Sequence, residues 1–183
     1  AEWGLGMRLD SVELFPWMMT LGAIQDDSLI YDFGFEVASQ LKALGVHINF
    51  APVLDVNNNP NNPIINRRSF SSDVDIVSNK ALAYMKGMQD NGVLACGKHF
   101  PGHGDTDVDS HKGLPVLNHD MERLDSLELK PFQYLIQRGL GGVMIAHMNL
   151  PLIDTLQIPS SFSSQIIKGL LKEEMGFKGL IIT

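Results

Sequence analysis

Apolar residues recur at Leu29, Ile30, Phe33, Val37, Leu41 and Leu44, a spacing of three to four that predicts a helix from Ser28 to Leu44, stopped by Gly45. Val46-His47-Ile48-Asn49-Phe50 predicts a strand leading into Ala51-Pro52-Val53-Leu54-Asp55-Val56, after which Asn57 to Asn66 is an Asn/Pro loop. Asp73 caps a predicted helix that runs to about Asn91, with Gly92 behind it. Val93 to Cys96 is the next strand. His119-Asp120-Met121-Glu122 opens a helix to about Arg138, stopped by Gly139, and Gly142 to His147 is a third strand. Ser161 or Ser163 opens a helix to about Met175, and Gly179 to Thr183 is the last strand.

Strands and helices therefore alternate, which is the α/β class. The strands are near-continuous apolar runs, the pattern of parallel strands buried on both faces. Polar residues gather where strands end, at Asp55, at Lys98-His99 and at His147. That is the face on which a (β/α)8 barrel keeps its chemistry, and four strand–helix units make about half of such a barrel. No Gly-x-Gly-x-x-Gly opens a helix, so a dinucleotide fold has little support. Both ends, Ala1-Glu2-Trp3-Gly4 and the strand closing at Thr183, predict a partial barrel truncated on each side, with room for further domains in the complete chain.

Composition narrows the function classes. Fourteen basic against twenty-one acidic residues give a net charge of −7 without a basic stripe, which argues against nucleic acid and anionic membrane surfaces. The apolar runs fall short of a membrane span. Cys96 is the single cysteine, set inside a strand, and is read as a buried inert thiol. The compartment is left open.

The chemistry concentrates in Lys98-His99-Phe100-Pro101-Gly102-His103-Gly104-Asp105-Thr106-Asp107-Val108-Asp109-Ser110-His111. A structural loop has no need of so many ionisable groups, whose crowding costs repulsion and desolvation. Asp109 and His111 form a carboxylate–imidazole pair suited to general acid and base work. Lys98 and His99 suit clusters of sugar hydroxyls. Arg68 and Arg8 are each a hydroxyl or carboxylate clamp or a solvated charge. His147 is read as lining the site, His47 as structural, and His103 and His119 as solvated. Asp105, Asp107 and Asp109 imitate the start of a calcium loop, but Ser110 and Val116 stand where its glycine and glutamate belong. Zinc ligation by His99, His103, His111 or His147 has no His-Glu-x-x-His or cysteine pair behind it. No metal and no cofactor is expected.

Lys-His-Phe-Pro-Gly-His-Gly followed by Asp-Ser-His resembles the β-N-acetylglucosaminidases of glycoside hydrolase family 3, the NagZ-like group. Phe50-Ala51-Pro52-Val53-Leu54-Asp55, Arg68-Ser69-Phe70 and Met144-Ile145-Ala146-His147 fall in the family's order, while Trp3, Leu5 and Ser71 replace its usual glycine, arginine and glycine. The resemblance implies a (β/α)8 barrel and a retaining mechanism on a carbohydrate substrate, a cell-wall muropeptide or similar glycan. It makes His111 the acid/base and Asp109 its partner, on a loop hinged at Gly102 and Gly104. Arg8, Arg68, Lys98 and His99 would hold the N-acetylglucosamine hydroxyls. It also places the nucleophilic Asp just beyond residue 183, and a further sugar-binding Asp just before Ala1. A glycan-binding descendant without turnover and a metal-dependent hydrolase using the His/Asp cluster are the competing readings.

Overall fold

In the computed structural model, residues 1–107 and 113–183 are described. Helix α1 (Met18–Gly22) leads into α2 (Asp27–Ala43), which begins one residue before the predicted start because the Asp26 carboxylate accepts the Ser28 amide and caps it. Helix α3 (Val74–Asp90) is capped as predicted, Asp73 accepting from the amides of Asp75 and Ile76. Ile30, Phe33, Val37 and Leu41 of α2 pack with Val77, Ala81, Tyr84 and Met88 of α3, all buried. Phe33 stacks on Tyr84 with ring centroids 5.0 Å apart. The two backbones approach so closely that a Cβ on Gly87 would lie 2.0 Å from the Tyr31 carbonyl oxygen.

Strands β1 (Ile48–Asn49), β2 (Leu94–Phe100), β3 (Gly142–Ile145) and β4 (Leu180–Ile182) form one sheet in that order, every pairing parallel. Sequential parallel strands with helices between them are the repeating unit of a (β/α)8 barrel. Their carboxyl ends share one edge, and there the polar residues collect.

Several boundaries differ from the sequence reading. β2 runs to Phe100, not Cys96, so Lys98 and His99 sit inside the strand. Residues 51–54 run beside it, with Cys96 and Lys98 amides bonding the Ala51 and Pro52 carbonyls and the Leu54 amide bonding the Lys98 carbonyl. β1 shrinks to two residues because Pro52 has no amide to give to a regular ladder. The helix expected from 119 to 138 is two, α4 (Met121–Ser126) and α5 (Lys130–Ile136). Pro131 enforces the break: its ring removes an amide that a continuous helix would need and is accommodated only in a first turn. Residues Gln165–Glu174 wind as a π-helix after a 3-10 turn at Ser160–Phe162. Among the described residues no helix is long and apolar enough to cross a membrane.

Gly87→Ala should lower the stability of the protein by about 3 kcal/mol, since its methyl group meets backbone that has no room to move. Urea denaturation measures this. A loss below about 0.5 kcal/mol would show that α2 and α3 can separate without cost.

Candidate active site

β2 carries the site through an irregularity. Its pairing with β3 shifts register between Lys98 and Phe100, so His99 is the extra residue. In a regular strand two neighbouring side chains point to opposite faces; the bulge re-aims them, and Lys98 and His99 each find a buried carboxylate.

Lys98 finds Glu2. Its Nζ lies 2.6 Å from Glu2 Oε1, and Arg68 donates to the same carboxylate through Nη2 at 2.6 Å and Nε at 2.9 Å. Glu2 and Lys98 side chains are only 6% and 9% exposed. Burial alone would raise the Glu2 pKa, but the two cations hold it at about 2. The Lys98 ammonium is pushed below its ordinary value by burial, which Glu2 offsets in part, and the Arg68 guanidinium, despite its own burial, is held up by Glu2. The backbone behind Glu2 is anchored too, its carbonyl accepting the Tyr84 hydroxyl at 2.8 Å. The core helix α3 thus positions the charge triad.

His99 finds Asp55, which is completely buried. Asp55 accepts the His99 ring Nδ1 at 2.7 Å and the amides of His99 and His103 at 3.2 Å and 2.7 Å. Burial would raise the Asp55 pKa; the His99 and His103 contacts keep it below its ordinary value. Burial also depresses the His99 pKa, which Asp55 offsets only in part. At neutral pH the pair is therefore a carboxylate and a neutral imidazole with its proton on Nδ1, leaving Nε2 as an acceptor. Glu2, Asp55, Arg68 and Lys98 then sum to zero charge.

Beyond β2 the chain is clamped. The Asn62 amide donates to the carbonyls of His103 and Gly104 at 2.7 Å and 3.0 Å. A Cβ on Gly104 would lie 1.8 Å from the Val56 carbonyl oxygen, and one on Gly102 would lie 2.7 Å from the Glu128 side chain. These glycines serve close approach. Asp105, next along, accepts His119 Nε2 at 2.9 Å and faces Arg123 Nη2 at 3.5 Å, while Arg123 binds Glu128 at 2.9 Å.

Asp105, His119 and Glu128 have ligand atoms within 4.8 Å of one another, close enough to consider a metal ion. Arg123 already serves both carboxylates. A divalent cation there would stand beside a fixed positive charge, so the cluster is better described as an ion network bracing the loop.

Of the residues singled out from sequence, Arg68 and Lys98 meet on Glu2, and His99, next to Lys98, binds Asp55. Arg8 is exposed, its side chain donating to the Met7 carbonyl, and borders the same cavity of about 520 Å³ as Glu2, Arg68 and Lys98. His147 lies two residues past β3, exposed, its Nδ1 2.5 Å from Ser161 Oγ. Asp109 and His111 lie outside the described residues. His103 and His119, expected in solvent, are buried and half-buried respectively, the former against Thr106. Cys96 is buried as expected, and burial pushes its thiol up to about 12. Sequence reasoning missed Glu2 and gave Asp55 no role. Asp55 had a signal, a lone carboxylate ending an apolar run; Glu2 had none, because its partners are 66 and 96 residues away.

The Glycosyl hydrolase family 3 N terminal domain matches residues 1–183. The chain belongs to glycoside hydrolase family 3, and its four parallel strands are part of that family's TIM barrel. A β-hexosaminidase A from Pseudoalteromonas piscicida is 39% identical over 183 residues, covering 92% of this chain and 31% of that protein. A β-hexosaminidase of Neisseria meningitidis serogroup C is 38% identical over 92% of this chain and 48% of its own length. The chain thus spans about a third to a half of the length of these relatives. A family 3 β-N-acetylglucosaminidase from Paenibacillus superposes over 99% of this chain and 35% of its own, with a TM-score of 0.95 and 45% identity.

Glu2 contributes stability that is complete above its ordinary pKa of 4.5 and is lost as pH falls from there towards 2, a difference of about 3 kcal/mol. Glu2→Gln should lower stability at pH 7 by about 3 kcal/mol by leaving two cations short of a counter-charge, and should flatten the pH dependence between 5 and 3. Denaturant titrations across that range measure both. A variant with the unchanged acid limb would place the pH dependence elsewhere.

Proposed function

We propose that the protein of which this chain is part is a retaining glycoside hydrolase that releases terminal β-linked N-acetylglucosamine from a cell-wall muropeptide or similar glycan. In this reading residues 1–183 are part of the N-terminal catalytic barrel, supplying about four of its strand–helix units. The observation that carries the reading is the placement of Arg68 and Lys98 on one cavity, both held by the Glu2 carboxylate, with His99 next to Lys98 in β2. These groups offer donors and an acceptor to sugar hydroxyls, and Glu2 and Asp55 offset the charges of Arg68 and Lys98. The names of the relatives point to the same substrate class.

Neither buried carboxylate is available for covalent chemistry, since Glu2 and Asp55 both spend their oxygens on partners. The nucleophile in this reading is the one the family resemblance implies, an Asp just beyond residue 183, after β4. Its carboxylate oxygen attacks the anomeric carbon. The glycosidic bond breaks, and its electron pair leaves on the oxygen, which takes the proton of the His111 imidazolium. In the second step neutral His111 removes a proton from water, whose oxygen attacks the same carbon and releases the carboxylate. Asp109 orients the imidazole and stabilises its protonated form. Arg68, Lys98, His99 and, at the rim, Arg8 and His147 hold the sugar.

The test is hydrolysis of an aryl N-acetyl-β-glucosaminide by the complete protein, with the aryl β-glucoside alongside. Release from the first and not the second is expected, unaffected by EDTA. His111→Ala should lower kcat by about 10²- to 10⁴-fold with a much smaller effect on KM. Full activity in that variant would remove His111 from the mechanism. Binding of N-acetylglucosamine without release from either substrate would make the protein a glycan-binding descendant of the fold.

A further inference from the structure

The chain's two tryptophans, Trp3 and Trp17, stand together although fourteen positions separate them, with ring centroids 4.1 Å apart and planes tilted by 44°. The Arg67 guanidinium lies over Trp17, 3.6 Å from the ring centroid. Both indoles are half-buried, and with Ile64, Asn66, Arg67 and Arg68 they line a cavity of about 480 Å³. An indole pair serving only the core would be sealed. This pair borders open space of ligand size, beside an exposed guanidinium that makes no ion pair among the described residues.

The cavity's position gives it a use. Trp3 directly follows Glu2, and Arg68, which binds Glu2 through two nitrogens, lines both this cavity and the one that holds Lys98. The two cavities share a wall. A pyranose ring has an apolar C–H face for an indole and a rim of hydroxyls for a guanidinium or an amide, which are the groups present here.

Resting on the hexosaminidase reading, we propose that the Trp3–Trp17–Arg67 groove is a subsite for the second sugar ring of the substrate, the pyranose to which the terminal N-acetylglucosamine is β-linked. Trp3 stacks on that ring and Arg67 bonds its hydroxyls. The groove thus selects oligosaccharides over glycosides with small aglycones.

The experiment compares kcat/KM of the complete protein for the β-1,4-linked N-acetylglucosamine dimer and for methyl N-acetyl-β-glucosaminide, whose aglycone is too small to reach the groove. Trp3→Ala should lower the dimer-to-methyl ratio about tenfold, and Trp3→Phe, which keeps an aromatic face, should retain most of it. Arg67→Ala alters an exposed side chain, and should lower the ratio about threefold. Ratios within twofold of the unmodified protein in Trp3→Ala and Arg67→Ala overturn the subsite while leaving the hexosaminidase reading intact. Cleavage of neither substrate by the unmodified protein overturns that reading, and the subsite with it.

Discussion

A buried ammonium and a half-buried guanidinium stand side by side in this protein because one carboxylate serves both. Removing either cation from water costs several kcal/mol unless a counter-charge lies within hydrogen-bonding distance, and Glu2 gives Arg68 two bonds and Lys98 one. The arrangement joins three segments distant in sequence: the chain's first residues, the turn after the Asn/Pro loop, and β2. Tyr84 extends it into the helical core by bonding the Glu2 carbonyl. Core packing and the site are therefore one mechanical unit, joined by the Tyr84 phenol and, from α2, by Gln40, which accepts the Leu5 amide.

Asp55 does for the loop what Glu2 does for the strand. By accepting the His99 ring and two backbone amides it fixes the tautomer of the imidazole and the start of the loop together. Asn62, Gly104 against Val56, and the Asp105–His119–Arg123–Glu128 network continue the anchoring up to the residues that precede the Asp109/His111 pair. In the hydrolase reading the sugar-holding groups are thus set before substrate arrives, so less binding energy is spent on ordering them.

The alternation of elements, the parallel sheet and the edge where polar residues collect could be read from the sequence, because apolar periodicity and capping residues act locally. Asp73 shows this well: its cap forms where the pattern puts it. What could not be read depends on distant partners. Lys98 and His99 look like a strand end in sequence, yet they lie within β2, because residues 51–54 run alongside and extend the pairing. His103 and His119 look like solvated histidines, yet each is drawn inward by a hydroxyl or carboxylate that only the fold supplies. Glu2 carries no local pattern at all. The contacts of Gly102 with Glu128 and of Gly104 with Val56 were likewise beyond any local pattern.

In the hydrolase reading, the balanced charges of Glu2, Asp55, Arg68 and Lys98 have a consequence for how a sugar is met. The chain as a whole carries −7, but a cluster that sums to zero projects little field beyond the few ångströms over which its dipoles act. A neutral glycan is therefore neither drawn in nor turned away over a Debye length. Recognition begins at contact, through short hydrogen bonds in a water-poor setting, and ionic strength has little hold on it. In that reading, salt acts on the held sugar chiefly through Arg8, exposed where it borders the cavity.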